Sequence, residues 1–135
     1  MHVFFYGLFM DEALLARKGV RPTNVAKGSV NDLALHIGER ATLKRVAGAR
    51  TYGVVMTIDG AKLNELYAEE SVADYVAEPV IVELADGGSL EAACYILPAH
   101  RVTGTNRRYA EQLLELAIGL ELPDSYIEQI RKATI

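Results

Sequence analysis

The sequence predicts an α+β fold in which helices flank one mixed sheet. The predicted elements run in the order strand, helix, strands, helix, hairpin and two helices, whereas a doubly wound fold would alternate strands and helices throughout. The length of 135 residues fits one domain, and no repeat, low-complexity tract or linker divides the chain. Half of the residues are hydrophobic and 24% are charged, which is typical of a domain with a packed core. We therefore expect residues 1–135 to form a single domain.

The chain begins with a predicted strand and a short helix. Residues 2–6 are an apolar run of aromatic and β-branched residues that ends at Gly7, a pattern typical of a strand buried on both faces. Asp11 can cap a helix that runs to Lys18, because its carboxylate can accept hydrogen bonds from the first backbone N–H groups of the helix. Gly19 then ends this helix.

Extended chain is predicted next. Residues 25–37 are expected to be extended, with a bend where the polar residues Asn31 and Asp32 interrupt the segment. Residues 38–50 are mostly polar, so we expect an irregular connection there. Residues 51–57 are again apolar and predict another strand.

The middle of the chain predicts a helix and a hairpin. Asp59 is placed to cap a helix over residues 60–70. Residues 75–84 and 90–97 then flank the turn sequence Ala-Asp-Gly-Gly-Ser, which is a clear hairpin signal. Pro79 cannot donate a ladder hydrogen bond, so the first arm should lie at an edge or carry a bulge there.

The last third of the chain is predicted to be helical. Residues 106–120 place four apolar side chains on one stripe. These four are Tyr109, Leu113, Leu116 and Leu120. Pro123 opens a final short helix, in which Ile127 and Ile130 should face inward.

Charge and composition argue against several classes of function. The net charge is −4, from 14 basic and 18 acidic residues, and no basic stripe offers a nucleic-acid surface. The apolar stretches are too short to span a bilayer, and the first ten residues lack the charged start of a signal peptide. We therefore expect neither a nucleic acid nor a membrane as partner.

The single cysteine and the scattered histidines predict little thiol or metal chemistry. Cys94 excludes an internal disulfide, favours a cytoplasmic location, and lies mid-strand where a buried packing cysteine is expected. The three histidines show no metal-ligand spacing. We therefore expect no metal and no other cofactor. The plentiful reactive groups are eighteen carboxylates and seven tyrosines.

One of these carboxylates falls on an apolar helix face. In the predicted helix after Asp59, three residues share that face: Leu63, Leu66 and Tyr67. Glu70 is the next position on it, whereas Glu65 and Glu69 fall well off it. At the last helical turn, the negative dipole and apolar neighbours would disfavour an ionised Glu70. A carboxyl that keeps its proton near neutrality suits a general acid/base, although the side chain could instead turn outward to water and have no function.

The turn after the first strand is a second candidate site. It consists of Tyr6, Gly7, Leu8, Phe9 and Met10. A glycine at a strand-to-helix turn lets successive backbone N–H groups converge into a concavity for a carboxylate or an oxyanion. The simpler alternative is that Gly7 only permits the turn. The segment has no phosphate-loop pattern.

Five segments together resemble the gamma-glutamyl cyclotransferase family. They are Tyr6-Gly7 after the opening strand, residues 63–72 before the hairpin, residues 94–97 in the last strand, Arg108-Tyr109 and residues 119–126. Each segment is short, but their order and spacing agree from about residue 2 to residue 132. The resemblance implies a small mixed β-barrel with flanking helices.

The resemblance also implies an enzyme and assigns its site. The turn from Tyr6 to Met10 would bind a γ-glutamyl group through backbone amides. Glu70 matches the family's general acid/base by position. The tyrosines that match the family's pocket are Tyr75, Tyr95 and Tyr109. The implied reaction is attack of the substrate's α-amine on its own γ-carbonyl, which releases 5-oxoproline and a free amine. The expected partner is thus a small γ-glutamyl molecule, and the protein is a monomer or a homodimer.

The sequence departs from the family pattern at the turn and after the candidate glutamate. Leu8 and Phe9 replace residues that are usually polar, and Ser71 stands where glycine is common. Backbone N–H groups survive such changes, whereas polar side-chain contacts do not. A non-catalytic module that binds a small ligand on the same scaffold is therefore the alternative. Hydrolysis by water is a third possibility, but Glu70 has no obvious partner for positioning that water.

Overall fold

Five strands form a closed barrel in the order β1-β3-β2-β4-β5 in the computed structural model, which describes residues 1–70 and 72–133. The strands are β1 (His2–Phe5), β2 (Thr23–Ile37), β3 (Ala41–Thr57), β4 (Val76–Leu84) and β5 (Ser89–Ile96). Neighbouring strands are antiparallel except β1 and β5, which pair in parallel through Val3 and Ala93. The predicted mixed barrel is confirmed.

Four helices accompany the barrel within the described residues. They are α1 (Glu12–Arg17), α2 (Gly60–Tyr67), α3 (Arg107–Gly119) and α4 (Asp124–Ala133). The predicted N-caps are confirmed: Asp11 accepts a hydrogen bond from the backbone N–H of Ala13, and Asp59 accepts from two N–H groups of α2. None of the helices in the described ranges is long and apolar enough to cross a membrane.

Residues 38–50, predicted as an irregular connection, instead belong largely to β3. This strand pairs with β2 from Ala41 opposite Ile37 to Thr57 opposite Thr23. Residues 44–48 are exposed, because here the long β2–β3 ribbon lies against no core. The backbone hydrogen bonds between β2 and β3 hold this ribbon together, so its sequence does not need to alternate apolar and polar residues. The sequence pattern therefore gave no strand signal, and the prediction was wrong.

The predicted bend in β2 is confirmed. The β2–β3 register shifts between Asn31 and Leu33, and Asp32 has a positive φ of 62°. The Asp32 carboxylate accepts a hydrogen bond from the backbone N–H of Gly48 at 2.9 Å, which fixes the ribbon at this irregularity.

Pro79 lies at an open edge, as predicted. β4 pairs with β5 along its length, with Pro79 opposite Ala93, but it pairs with β2 only through Glu83 and Leu84. Among the described residues, no strand pairs with β4 at Pro79 on the side away from β5. The missing backbone N–H of the proline therefore costs no hydrogen bond between strands there.

The core has two parts, one inside the barrel and one between the barrel and the helices. β1 contributes to both, because Phe4 packs in the inner cluster while Val3 and Phe5 pack with the helices. Gly53 of β3 is needed here, since a Cβ would lie 2.2 Å from the Phe5 carbonyl oxygen. The predicted inward positions of Ile127 and Ile130 are confirmed.

The helix α2 ends earlier than the sequence predicts. Its last residue is Tyr67, and the backbone N–H of Ala68 donates to the carbonyl of Glu65, which tightens the end into a turn. Residues beyond Tyr67 therefore do not follow the 3.6-residue period of the helix. This early end decides which glutamate reaches the site.

Candidate functional site

A cavity of about 550 Å³ lies beside the turn that follows β1. Seven of the nine residues predicted for the site line it: Tyr6, Gly7, Leu8, Phe9, Tyr75, Tyr95 and Tyr109. The turn supplies one wall, and the tyrosines come from the chain before β4, from β5 and from α3. The fold therefore brings the predicted turn and the three predicted tyrosines into one cavity.

Met10 does not line this cavity. It ends a single 3₁₀ turn over Leu8–Met10, its side chain is buried in the core beside the helices, and only 2% of its surface is exposed. Its backbone N–H donates to the Gly7 carbonyl oxygen at 3.1 Å. Contrary to the prediction, Met10 therefore does not border the site, because the 3₁₀ turn directs its side chain inward and uses its N–H.

Glu70 is exposed and lies outside the residues that line the cavity. The prediction that Glu70 faces inward was wrong. It assumed that the helix continues to residue 70, whereas α2 ends at Tyr67. Glu69, which the helical count placed off the apolar face, is the carboxylate that lines the cavity.

Glu69 forms an ion pair with Lys18 at the cavity wall. The Lys18 ammonium donates to both carboxylate oxygens, at 2.8 and 3.1 Å. Both side chains are partly exposed, at 30% for Lys18 and 38% for Glu69. Lys18 is the C-cap residue of α1, and Glu69 follows the end of α2. This ion pair could not be predicted from the sequence, because the two residues are 51 positions apart.

The turn after β1 presents backbone donors to the cavity. Within the described part of the chain, no backbone acceptor uses the N–H groups of Gly7 and Phe9, and the N–H of Leu8 donates to the Tyr109 hydroxyl. Gly7 has φ −109°, so its role is space rather than an unusual backbone angle. A Cβ at Gly7 would lie 2.6 Å from the Tyr109 hydroxyl. Close approach of Tyr109 is therefore the reason that this position requires glycine.

An aromatic wall faces the turn. Tyr67 and Tyr95 stack with ring centroids 3.7 Å apart and planes 7° apart. Phe9 packs edge-on against Tyr67 at 5.7 Å, and the ring of Tyr75 lies 6.2 Å from Tyr67. Tyr67 also lines the cavity. The sequence pattern placed Tyr67 on the apolar face of the helix and therefore did not predict this position. These contacts give the cavity a fixed, largely apolar surface.

Hydrogen bonds and an arginine order the tyrosines. The Tyr6 hydroxyl donates to the Tyr95 carbonyl oxygen at 2.6 Å, and the Tyr75 hydroxyl donates to the Ala41 carbonyl oxygen at 2.5 Å. The Arg40 guanidinium lies 5.7 Å from the centre of the Tyr75 ring and forms an ion pair with Asp74 at 3.3 Å. Arg40 also lines the cavity and adds a second cation to its wall.

The buried tyrosines hold their protons at neutral pH. Burial raises the pKa of Tyr75 to about 12, against a smaller opposing effect of Arg40. Burial also raises the pKa of Tyr109, although a hydrogen bond from the backbone of Leu8 lowers it in part. Tyr6 and Tyr67 have pKa values raised by burial and by their neighbours. These hydroxyls are therefore donors rather than bases near neutrality.

We expect the tyrosines to ionise together with alkaline unfolding. Burial raises the pKa of six of the seven: Tyr6, Tyr67, Tyr75, Tyr95, Tyr109 and Tyr126. An unfolded tyrosine loses its proton near pH 10, so the folded state binds more protons above about pH 10. This stabilisation is complete below about pH 10 and is lost as the pH rises through the folded pKa values. Tyrosinate absorbance should appear over the same pH interval as loss of circular dichroism. A gradual titration of most tyrosines near pH 10 in the folded protein would contradict this.

The cysteine behind the site is a packing residue. Cys94 is buried in the inner cluster of the barrel. Burial, with a smaller effect of Glu78, raises the pKa of its thiol to about 12, which leaves little thiolate for nucleophilic chemistry. Within residues 1–70 and 72–133, no three His, Cys, Asp or Glu side chains lie together in an arrangement that could hold a metal ion.

The family of the chain follows from comparison with known proteins. Residues 50–130 match the model of the AIG2-like family, so the chain belongs to that family. A comparison with curated protein sequences gives no match. The matched segment contains Glu69 and four of the cavity tyrosines, namely Tyr67, Tyr75, Tyr95 and Tyr109. The expected membership in a gamma-glutamyl cyclotransferase-like family is confirmed.

Solved structures share the architecture at low sequence identity. A gamma-glutamyl cyclotransferase is 20% identical, with a TM-score of 0.80 over 97% of this chain and 86% of that chain. An uncharacterised human protein is 22% identical, with a TM-score of 0.78 over 96% and 85%. YkqA from Bacillus subtilis is 20% identical, with a TM-score of 0.79 over 99% of this chain and 54% of that chain. These likenesses establish a gamma-glutamyl cyclotransferase-like fold.

Proposed function

We propose that the protein cleaves a γ-glutamyl amide by intramolecular cyclisation and releases 5-oxoproline and a free amine. One observation carries this proposal: the Glu69 carboxylate and the turn over Gly7, Leu8 and Phe9, whose N–H groups have no backbone acceptor among the described residues, border the same cavity. Such a site offers a base and an oxyanion cradle together. The fold, shared with a gamma-glutamyl cyclotransferase, supports the same reaction.

The substrate supplies its own nucleophile, so the protein needs few groups. Glu69 accepts a proton from the α-ammonium, and the free amine attacks the γ-carbonyl carbon to close a five-membered ring. The backbone N–H groups of the turn stabilise the oxyanion that forms. Glu69 then returns a proton to the leaving nitrogen as the amide C–N bond breaks. Overall, the α-nitrogen loses two protons and the leaving amine gains two.

The aromatic wall holds the substrate in the ring-closing conformer. Stacked Tyr67 and Tyr95, braced by Phe9, leave a rigid surface against which the carbon chain of the γ-glutamyl group can pack. Holding reacting atoms in position can contribute on the order of 7 kcal/mol to the barrier reduction. Because the tyrosine hydroxyls remain protonated, they donate hydrogen bonds and do not compete with Glu69 as bases.

A binding module without turnover is the second candidate. Lys18 donates a hydrogen bond to each oxygen of Glu69, so a proton transferred to Glu69 must compete with these two hydrogen bonds. Leu8 and Phe9 also give the turn an apolar surface. A small acidic or amine ligand could therefore bind in the cavity and remain intact.

A panel of γ-glutamyl peptides and γ-glutamylamines tests the proposal. We expect 5-oxoproline and the free amine to form in equal amounts from at least one class of substrate. Measured binding across the panel without product would favour the binding module. Release of glutamate instead of 5-oxoproline would indicate hydrolysis by water. Varying the amine that is bonded to the γ-carbonyl across this panel identifies which leaving group the protein prefers.

A further inference from the structure

Lys18 has no role in the chemistry described so far, yet it lines the cavity and contacts the proposed base. Its ammonium lies 2.8 Å from one Glu69 oxygen and 3.1 Å from the other, and its side chain is 30% exposed. Such a partly exposed pair contributes little to stability. Its position at the cavity therefore calls for a functional explanation.

A γ-glutamyl substrate brings a second carboxylate into the cavity. Two cations line the wall within the described residues, Lys18 and Arg40. Arg40 is already engaged by Asp74 at 3.3 Å and lies over the ring of Tyr75. Lys18 has only the Glu69 carboxylate among the described side chains as its ion-pair partner. An ammonium on a flexible four-carbon stem can turn to a new carboxylate more easily than a planar guanidinium held on a ring.

We propose that Lys18 exchanges carboxylates: it holds Glu69 until a substrate arrives and then binds the α-carboxylate of the substrate. This inference rests on the proposed function. The α-carboxylate and the α-ammonium are bonded to the same carbon, so binding of the carboxylate at Lys18 brings the ammonium next to Glu69. The exchange also releases a Glu69 oxygen to accept the ammonium proton. Lys18 is thus both a specificity residue for the α-carboxylate and a positioning residue for the base.

Two matched substrates test the exchange. γ-Glutamylmethylamide carries the α-carboxylate, and 4-aminobutanoyl methylamide lacks only that group and can cyclise to 2-pyrrolidinone. For Lys18→Met we expect kcat/KM for the first substrate to fall at least about tenfold, the size typical of a lost charge-assisted hydrogen bond. The same variant should barely change kcat/KM for the second substrate. Lys18→Arg should recover part of the loss, since it keeps the charge.

The control variant is Lys62→Met. Lys62 forms an exposed ion pair with Glu65 at 3.6 Å on α2 and does not line the cavity. Lys62→Met should leave kcat/KM unchanged for both substrates. Circular dichroism of Lys62→Met and Lys18→Met verifies that both variants fold. An equal loss on both substrates in Lys18→Met would overturn the proposal, because Lys18 would then act without contacting the α-carboxylate. No loss on either substrate would overturn it as well.

Calorimetric binding of the same two molecules separates this proposal from the proposed function. If the wild type forms no 5-oxoproline, the proposed function fails. The role of Lys18 in carboxylate recognition would stand only if the wild type binds γ-glutamylmethylamide more tightly and Lys18→Met removes that preference. Equal affinity of the wild type for the two molecules, or no binding of either, would overturn it.

Discussion

Glu69→Gln should lower kcat for cyclisation by on the order of 10²–10⁴-fold, the contribution of a well-placed acid/base. Glutamine keeps the size of the side chain but cannot accept and return a proton. Since the Glu69 side chain is 38% exposed, the lost ion pair with Lys18 should reduce stability by no more than about 1 kcal/mol. Initial rates of 5-oxoproline release and a thermal unfolding curve measure the two effects separately.

Two neighbouring glutamates serve as matched controls for this variant. Glu65 is exposed on α2 and pairs with Lys62, and Glu70 is exposed outside the cavity. Glu65→Gln and Glu70→Gln should both keep nearly the wild-type rate. Loss of activity in Glu70→Gln with retention in Glu69→Gln would restore the assignment that the sequence predicts and refute ours.

Gly7→Ala should reduce both stability and activity. The new Cβ would lie 2.6 Å from the Tyr109 hydroxyl, so either Tyr109 or the turn must move. Overpacking of this kind typically costs about 1–3 kcal/mol. Displacing the turn also misplaces the N–H groups of Leu8 and Phe9, and misplacement by about 1 Å can cost on the order of 10²-fold in rate. Denaturant unfolding and kcat/KM measure these losses.

Because the Tyr109 hydroxyl lies so close to Gly7, we expect a substitution of Tyr109 to restore the stability that Gly7→Ala loses. Tyr109→Phe removes the hydroxyl, and the nearest remaining ring atom is then the terminal ring carbon, 4.0 Å from the new Cβ of Gly7→Ala. That separation is an ordinary contact, so the stability cost of Gly7→Ala should largely disappear in the Tyr109→Phe background. Additive losses in the double variant would show that Gly7 is required for another reason.

Much of the fold could be predicted because its elements carry apolar patterns and caps. β1, the β4–β5 hairpin and the two final helices all bury residues at regular intervals, and Asp11 and Asp59 mark helix starts. The exposed part of β3 carries no such pattern, since backbone pairing with β2 holds it in place. Closure into a mixed barrel was predicted only through the family resemblance, because β1 and β5 are distant in sequence.

The candidate site could be predicted in part. The turn could be predicted from the glycine that follows β1 and the three tyrosines from the resemblance, and the fold then places the tyrosines and most of the turn around one cavity. The glutamate that lines the cavity, Glu69, lies one position before the predicted Glu70, because local sequence does not determine where α2 tightens into its final turn. Lys18 was missed for another reason: only the tertiary structure brings α1 next to the end of α2.

In the proposed reaction the substrate's own amine, not water, attacks the γ-carbonyl beside Glu69. The most direct test is to incubate the protein with γ-glutamylmethylamide in water labelled with heavy oxygen and to analyse the products by mass spectrometry. We expect unlabelled 5-oxoproline and an equal amount of methylamine from the wild type, and far less of both from Glu69→Gln. Glutamate carrying heavy oxygen, or the same yield of 5-oxoproline from Glu69→Gln, would contradict the claim.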